Sequence, residues 1–340
     1  MRLLGTLVAL LVLSAACSSP SGNALSPHAF VIPANAVGAD GMQISATYTA
    51  GITPGAAIYD FANGPDGRIW FTEFEGNNIG AITTAGVVTE YPSSATFPQP
   101  NGITVGPTNA DLWTGGYGGT VIDVATTGTQ TNYAVTGAHI GDIVAGHDGN
   151  LWFTDYGNNK IGRITTAGAV TEFALPANAS PSGIAVDAKG RLWITDGGNK
   201  RIIKMKTTGK VVQSYGTGIS PGEYPQYIVA APDGNLYFTE AAFNSTLHDK
   251  IGRISTSGKI AEVATLAPES YPDRLTIGKD GNLYVCLYSR PAVVKYVISK
   301  GKMKLMHLPL SNDHGTSAII NGPDNRLWLG GRQTIYAVSY

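Results

Sequence analysis

The sequence predicts an all-β fold, a seven-bladed β-propeller built from four-stranded antiparallel blades. A phrase at residues 64–92, "GPDGRIWFTEFEGNNIGAITTAGVVTEYP", returns at residues 146–173 as "GHDGNLWFTDYGNNKIGRITTAGAVTEF". Seven copies follow one another at intervals of 39 to 47 residues, a period typical of propeller blades. The 43 glycines and 19 prolines indicate many turns rather than long helices. The aromatic residues that align the copies are Trp70, Trp113, Trp152, Trp193, Tyr237, Tyr284 and Trp328.

Each copy contains the elements of one blade in the same order. A short apolar inner strand such as "NGITVG" is followed by a turn such as "GPDG", whose Pro, Asp and Gly favour tight reversal of the backbone. The second strand reads "IWFTE" or "LWFTD", and a loop rich in Gly and Asn leads to a third strand such as "IGRIT". A hairpin such as "TTAG" then precedes the fourth strand. Apolar and polar residues alternate along these strands, as packed sheets require.

The last copy lacks one strand, because the chain ends with "TIYAVSY" after "NRLWLGG". Near the start, "QISATYTAG" has the pattern of a fourth strand without its blade. We therefore expect this N-terminal strand to pair with residues 334–340, which closes the ring and removes an exposed sheet edge. The propeller domain is predicted over residues 41–340, and six or eight blades are the alternative counts.

The first residues, "MRLLGTLVALLVLSAAC", predict export. Arg2 gives a positive start, Leu3–Leu13 forms a short apolar run, and small residues precede Cys17. The run is shorter than the roughly 20 residues of a membrane span. The pattern resembles the lipobox of bacterial lipoproteins, which implies a signal peptide over residues 1–16 and a lipidated Cys17. An ordinary secretory signal that contains a cysteine is the alternative.

Cysteine use and composition fit an exported lipoprotein of the bacterial cell envelope, anchored in the membrane through Cys17. The chain has two cysteines, and Cys286 lies in an apolar strand-like run, so no structural disulfide is expected. Residues 17–40, rich in Ser and Pro, are predicted to form a flexible tether. The net charge of −1 and the charged fraction of 14% argue against nucleic-acid binding. We expect a monomer.

The blade phrases at residues 64–92 and 146–173, together with "APDGNLYFTEAAFNSTLHDKIGRISTSG", resemble the streptogramin B lyase (virginiamycin B lyase) family. The resemblance covers nearly all of residues 44–340. It implies a seven-bladed propeller that opens a cyclic depsipeptide antibiotic by elimination at its ester bond, with the help of Mg²⁺.

The catalytic signature of that family is a Pro-His-x-Ile phrase at the start of inner strands, and this chain departs from it. None of the seven aligned residues is a histidine, and Asp273 is the one carboxylate among them. An ordinary aspartate is a much weaker base than histidine near neutral pH. The departure argues against lyase chemistry. The aligned residues are Tyr59, Asn101, Gly141, Ser182, Gln226, Asp273 and Ser317.

Candidate site residues come from the two sets of loops expected at one rim of the central funnel. His139, Asp273 and His314 are the candidate bases. The carboxylates that follow the second strands are candidate oxygen ligands for Mg²⁺ or Ca²⁺, although their recurrence in several blades equally favours a structural role. The candidate rim residues are Tyr59, Glu73, Asn101, Asp155, Asp196, Gln226, Glu240 and Arg274.

Three functions remain open at this stage. The first is a non-catalytic module that binds a protein, peptide or glycan at the rim. The second is elimination of the streptogramin B lyase type. The third is lactonase-like hydrolysis, in which Glu73, Asn101 and Asp273 imitate the axial cation site of other propellers. Fold alone decides none of them.

Overall fold

The computed structural model describes residues 42–94, 98–242, 246–308 and 315–340. These residues form seven four-stranded antiparallel sheets, so the predicted seven-bladed propeller is confirmed. The inner strands of neighbouring blades contact each other in cyclic order, and that of the seventh blade contacts that of the first. In the described part of the chain, the one helical segment is the short turn Ile298–Lys300, and no helix has the length and hydropathy of a membrane span.

Each blade runs from its inner strand at the axis to its fourth strand at the periphery. Blade 1 contains β2 (Ile58–Asn63), β3 (Ile69–Glu73), β4 (Asn78–Ile82) and β5 (Val88–Pro92); blade 2 contains β6 (Pro100–Val105), β7 (Asp111–Gly116), β8 (Thr120–Ala125) and β9 (Gln130–Ala134). Blade 3 contains β10 (Ile140–Ala145), β11 (Leu151–Asp155), β12 (Lys160–Ile164) and β13 (Val170–Ala174); blade 4 contains β14 (Pro181–Val186), β15 (Leu192–Asp196), β16 (Arg201–Met205) and β17 (Val211–Tyr215). Blade 5 contains β18 (Glu223–Ala230), β19 (Leu236–Ala242), β20 (Lys250–Ile254) and β21 (Ile260–Thr265); blade 6 contains β22 (Pro272–Ile277), β23 (Leu283–Leu287), β24 (Ala292–Val297) and β25 (Lys302–His307). Blade 7 contains β26 (Ala318–Asn321), β27 (Leu327–Gly330), β28 (Ile335–Ser339) and, as its outer strand, β1 (Gln43–Tyr48).

The ring is closed by the two ends of the propeller, as the sequence predicts. Strand β1 pairs antiparallel with β28, with Ile44 opposite Val338 and Tyr48 opposite Ile335. Ile44 is buried in the blade, and Tyr48 stacks on Trp328 with ring centroids 5.5 Å apart. A strand from the start of the propeller therefore covers the edge that β28 would otherwise expose.

The repeated tryptophans are core residues. Each is essentially inaccessible to solvent. In all but Trp113, the indole N–H donates to an aspartate at or before the preceding turn, for example Trp152 Nε1 to Asp148 Oδ1 at 3.1 Å. In blade 5, Tyr237 takes the place of tryptophan, and its hydroxyl donates to Asp233 at 2.9 Å. The turn aspartate thus shapes the turn and accepts the buried polar atom of the aromatic residue, which a core position requires.

The inner strands of blades 1 to 6 each contain a register shift, which identifies a β-bulge. The threonine of the "WFT" phrase supports this bulge: the Thr72 hydroxyl accepts from Asp60 N at 3.1 Å and donates to Asn101 O of the next blade at 2.7 Å. In blade 6 the buried thiol of Cys286 takes this position and donates to Arg274 O at 3.2 Å. Because a bulge re-aims side chains, consecutive residues of the inner strand face the axis.

Candidate binding site at the axial rim

Two sets of loops meet at one rim of the propeller: those that enter the inner strands and those that leave the second strands. The backbone N–H of the first residue after a second strand donates to a carbonyl just before the inner strand of the same blade. These hydrogen bonds hold the two loops together and give the rim a fixed backbone. They join Phe74 to Ala57, Tyr117 to Gln99, Tyr156 to His139, Gly197 to Ser180 and Tyr288 to Tyr271.

Five rings from blades 1, 2 and 3 form a continuous group at this rim, which we call the aromatic arc: Tyr59, Phe74, Tyr117, His139 and Tyr156. Tyr59 stacks on Phe74 at 4.8 Å, and Phe74 meets Tyr117 edge-to-face at 5.9 Å. Tyr117 stacks on His139 at 4.6 Å and lies 5.2 Å from Tyr156. Phe74 is buried, whereas the other four rings are partly exposed and offer ring faces and edges to a bound molecule.

One polar group of the arc is left without a partner. The Tyr156 hydroxyl is covered by neighbouring atoms yet makes no hydrogen bond. The ring of Tyr156 lies beside Gly141 of the inner strand, since a Cβ added there would be 3.7 Å from Tyr156 Cδ1. A covered hydroxyl without a partner is costly unless a shift of the ring lets water or a ligand supply an acceptor.

Below the arc, the side chain of Arg274 joins four other blades, and we call this group the axial cluster. Its Nη1 lies 3.0 Å from Asp60 Oδ2 and 3.3 Å from Asp142 Oδ1. Its Nη2 donates to Asn101 Oδ1 at 3.4 Å, and its guanidinium lies 4.5 Å from the ring centroid of Tyr227. The buried guanidinium therefore fills the axis between blades 1, 2, 3, 5 and 6.

The axial cluster exists because the same repeat position is occupied by complementary residues. In each copy this position directly follows the residue aligned with the family histidine. It holds charged or aromatic side chains in four blades and small residues in three, so four side chains fit around one axis. The seven residues are Asp60, Gly102, Asp142, Gly183, Tyr227, Arg274 and Ala318.

Burial shapes the electrostatics of the funnel. It raises the pKa of Asp60 to about 7, although the charge of Arg274 opposes this shift. Burial also raises the pKa of Asp273 to about 7, again against the influence of Arg274. The pKa of Tyr59 is raised well above its usual value by burial and by the neighbouring Tyr227 and Asp273. The pKa of Arg274 is raised, because the carboxylates of Asp60 and Asp142 outweigh its desolvation.

A cavity of about 170 Å³ adjoins the axial cluster. Asp60, Asp142 and Arg274 line it together with apolar residues that come later in the inner strands, among them Leu275 and Ile319. The inner strands begin at the rim, so residues that come later in these strands lie further from it. The cavity that they line is therefore on the side of the axial cluster that faces away from the aromatic arc. The cluster thus separates the aromatic arc from the cavity.

The carboxylates expected at the rim are fully buried instead. Asp155 Oδ1 accepts from the backbone N–H of His139 at 3.0 Å and of Asn158 at 3.1 Å. Asp196 Oδ1 accepts from Ser180 N at 3.0 Å. These two aspartates clamp the rim loops, which agrees with the structural alternative given above.

Glu73 and Glu240 occupy the same repeat position but are too long for this clamp. Glu73 Oε2 accepts from Asn78 Nδ2 at 2.9 Å, whereas neither carboxyl oxygen of Glu240 has a hydrogen-bond partner among the described residues. Burial raises the pKa of Glu73 to about 8, with a further contribution from Glu90. Burial raises the pKa of Glu240 to about 8 as well, helped by the charges of Glu262 and Glu223.

These side chains do not fit the Mg²⁺ or Ca²⁺ ion for which the sequence offered candidate ligands. Among the described residues, no three His, Cys, Asp or Glu side chains gather in a geometry suited to a metal ion. At the axis, the cationic guanidinium of Arg274 already lies between Asp60 and Asp142. The oxygens of Asp155 and Asp196 are engaged by N–H groups.

The remaining predicted residues are dispersed. His139 belongs to the aromatic arc, in the loop before the inner strand, while Asp273 lies half-buried on the inner strand of blade 6. Gln226 is half-buried on β18, and its Nε2 lies 3.5 Å from Tyr224 O. His314 and Cys17 lie outside the described residues, so their proposed roles stay predictions.

Sequence reasoning missed Phe74, Tyr117 and Tyr156 of the arc and Asp60 and Asp142 of the axial cluster. One sequence signal could have identified these residues: the residue type varies between the seven copies at two fixed positions of the repeat. At both positions the residue types differ from blade to blade, while the neighbouring tryptophan and threonine recur.

Comparison with known proteins agrees with the fold and with the resemblance found in the sequence. Residues 95–246 match the model of the Virginiamycin B lyase family. A virginiamycin B lyase of Nocardia farcinica is 36% identical over 120 residues, which is 35% of this chain and 41% of that protein. One of Bordetella parapertussis is 43% identical over 53 residues, 16% of this chain and 18% of that protein. The chain thus spans less than half the length of these curated relatives.

Solved structures resemble the whole ring. A streptogramin B lyase structure superimposes with a TM-score of 0.76 at 23% identity, covering 84% of this chain and 94% of that chain. A catalytically inactive virginiamycin B lyase of Staphylococcus aureus with quinupristin gives 0.78 at 23% identity, over 87% and 99% of the two chains. At this identity the likeness establishes the propeller fold.

Proposed function

Since the chain belongs to the streptogramin-lyase-like family of β-propellers, we propose that it is a binding module whose aromatic arc holds a ring-bearing peptide. The observation that supports this function is the unbroken contact of five rings over three blades at the rim. Aromatic side chains supply a large contact area at low cost in conformational entropy, which suits recognition surfaces. A small shift of the Tyr156 ring would let its covered hydroxyl donate to an amide carbonyl of the peptide.

Binding fits this rim better than turnover for two reasons. No histidine occupies the seven inner-strand positions that align with the family base. In addition, the cationic charge at the axis is already neutralised, because Arg274 is paired with Asp60 and Asp142. A site with its charges satisfied internally offers little stabilisation to a developing oxyanion.

Elimination of the lyase type is the second candidate, and one observation favours it. Asp273 aligns with the family histidine, and burial raises its pKa to about 7, into the range of an effective general base. The solved relative with quinupristin makes this cyclic peptide the natural probe for both functions.

The test is calorimetric titration of the full-length protein with quinupristin, with and without Mg²⁺, followed by mass spectrometry of the peptide. We expect saturable binding with no change in peptide mass or retention time. Tyr117→Ala is expected to weaken binding at least about tenfold, because Tyr117 contacts three other rings of the arc. Val87→Ala, at a hairpin residue that is 64% exposed, is the control and should bind like wild type.

Two results would count against the binding module. Absence of binding, or equal affinity of the Tyr117→Ala and wild-type proteins, would remove the aromatic arc as the site. Opening of the peptide that is abolished by Asp273→Asn would replace the binding module with the second candidate.

We further propose that the module is displayed outside the cytoplasmic membrane on a lipid attached to Cys17. The support is the sequence pattern of residues 1–17. Mass spectrometry of the mature N-terminus in a bacterial host is expected to show a diacylated or triacylated cysteine. A mature chain that begins elsewhere without lipid would refute the anchor.

A further inference from the structure

In each copy, the residue four positions after the aligned aromatic residue lies at or near the rim end of the second strand, and its identity varies around the ring. Four blades place an aromatic residue there, blades 4 and 5 place small residues, and blade 7 places an arginine. In ring order, the arginine lies between the aromatic residues of blades 6 and 1. The seven residues are Phe74, Tyr117, Tyr156, Gly197, Ala241, Tyr288 and Arg332.

Backbone contacts fix Arg332 beside the aromatic arc. The N–H of Ala57 donates to Arg332 O at 2.6 Å, and Ala57 O accepts from Phe74 N at 3.0 Å. Ala57 thus lies directly between Arg332 and the first ring of the arc. Gly55 N also donates to the Gln333 side chain at 3.1 Å. Ala57 has a φ of 52°, a left-handed conformation that a residue with a Cβ keeps only where its surroundings impose it.

The guanidinium of Arg332 differs from most others in the described residues. Arg332 is exposed, and no described Asp or Glu lies within ion-pair distance of it. Five other arginines each form an ion pair with an aspartate. They are Arg68, Arg191, Arg201, Arg274 and Arg326. Arg332 therefore offers an exposed guanidinium from a backbone position next to the start of the aromatic arc, and a guanidinium binds a carboxylate with two parallel hydrogen bonds.

We infer that Arg332 receives a carboxylate of the peptide whose rings lie along the aromatic arc, so that this rim prefers acidic peptides. This inference rests on the proposed function and narrows its ligand class. The rings of the peptide extend from blade 1 to blade 3, and its carboxylate lies at blade 7. Arg332 is the exposed arginine beside blade 1, where the aromatic arc begins.

Two forms of one probe separate the inference from the proposed function. Quinupristin with its ester intact and the acid obtained by saponification share the same aromatic side chains. Hydrolysis of the ester opens the macrocycle and adds one carboxylate and one hydroxyl. Both are titrated calorimetrically into the full-length protein at low salt. We expect the acid to bind wild type at least about tenfold more tightly than the intact ester, a difference of about 1.4 kcal/mol.

The variants assign that preference to one side chain. Arg332→Gln is expected to remove the preference for the acid and to leave the affinity for the intact ester unchanged. Arg332→Lys should keep part of the preference, because it retains the charge but not the fork of donors. Lys206→Gln, which removes the same charge from an exposed hairpin residue, is the control and should keep the full preference.

The outcomes are distinct. If both forms bind and Arg332→Gln keeps the wild-type preference, or if wild type shows none, the anion site is refuted while the binding module stands. If neither form binds, the proposed function fails and this inference fails with it.

Discussion

Replacement of Arg274 by methionine is the most direct test of how this ring is held together. The side chain is 7% exposed and lies 3.0 Å from Asp60 and 3.3 Å from Asp142, which are each 8% exposed. Methionine removes the cation and leaves two carboxyl groups buried around one axis. Removing one partner of a buried ion pair lowers the free energy of unfolding by about 3–5 kcal/mol, because the charge of the remaining partner is left uncompensated.

We expect this loss to be visible as a lower unfolding temperature at pH 7. For a domain of this size, each kcal/mol corresponds to about 2–4 °C, so Arg274→Met should unfold at least about 6 °C below wild type. The measurement is differential scanning calorimetry of the full-length protein. Lys160→Met is the matched control, since Lys160 pairs with Glu172 at 2.9 Å in a partly exposed position and should cost at most about 1 kcal/mol.

A triple variant distinguishes lost charge balance from lost packing. Adding Asp60→Asn and Asp142→Asn to Arg274→Met removes both stranded charges and should recover part of the unfolding temperature. The reasoning is refuted if Arg274→Met and Lys160→Met unfold at the same temperature, because the axial ion pairs would then contribute no more than surface pairs.

Three further changes test other parts of the structure. The pKa of Glu240 is raised from about 4.5 to about 8 in the folded protein, so its contribution to stability is complete below pH 4.5 and is lost once the pH has risen through 8. Calorimetry of wild type should therefore show a falling unfolding temperature between about pH 5 and 8, and Glu240→Gln should reduce that fall. Parallel curves for the two proteins would contradict a buried proton on Glu240. Ile44→Ala in the closing strand β1 should lower the free energy of unfolding by about 2–5 kcal/mol in chemical denaturation, because Ile44 is buried. Thr47→Ala, on the exposed side of the same strand, is the control and should change it little. Equal effects of the two changes would mean that this strand does not close the ring. Thr72→Val keeps the shape of the side chain but leaves Asp60 N and Asn101 O without their hydrogen-bond partner. Urea denaturation should therefore show a free energy of unfolding that is lower by about 1–3 kcal/mol. An unchanged denaturation midpoint would show that other contacts hold the bulge.

The sequence predicts the blades well because their determinants are local. Turn residues such as Asp148 lie four positions from the tryptophan they support, and the strand pattern repeats at short range. Closure by β1 is also predictable, since the last copy lacks one strand and an exposed edge is unfavourable. These inferences need only the count of strands and the chemistry of turns.

The axial cluster and the arc are harder to predict because they depend on contacts between distant copies. Arg274 meets Asn101 across 173 residues and Asp142 across 132 residues, and no local pattern pairs them. The sequence names Arg274 and Asn101 as candidate rim residues, but it does not indicate that the two side chains are partners in a buried cluster at the axis. The carboxylates after the second strands are hard to predict for a different reason, because residues at one repeat position behave differently. Asp155 and Asp196 accept hydrogen bonds from backbone N–H groups of the rim loops, whereas Glu240 is buried without a partner among the described residues. One additional methylene in glutamate changes which N–H groups the carboxyl group can reach.

The repeat also explains where function can reside in this ring. The recurring tryptophan, aspartate and threonine are consumed by internal hydrogen bonds, such as Trp152 to Asp148 and Thr72 to Asn101, so none is available to a ligand without loss of stability. The positions open to a ligand are therefore those at which the copies differ. Two such positions are the one four residues after the aligned aromatic residue, at the rim, and the one on the inner strand, in the axial cluster below it. The backbone hydrogen bonds between the loops hold the end of the second strand beside the start of the inner strand, so the two positions lie near each other. Variation at Tyr117 or Arg332 can thus change the ligand while the fold persists, whereas variation at Trp152 cannot.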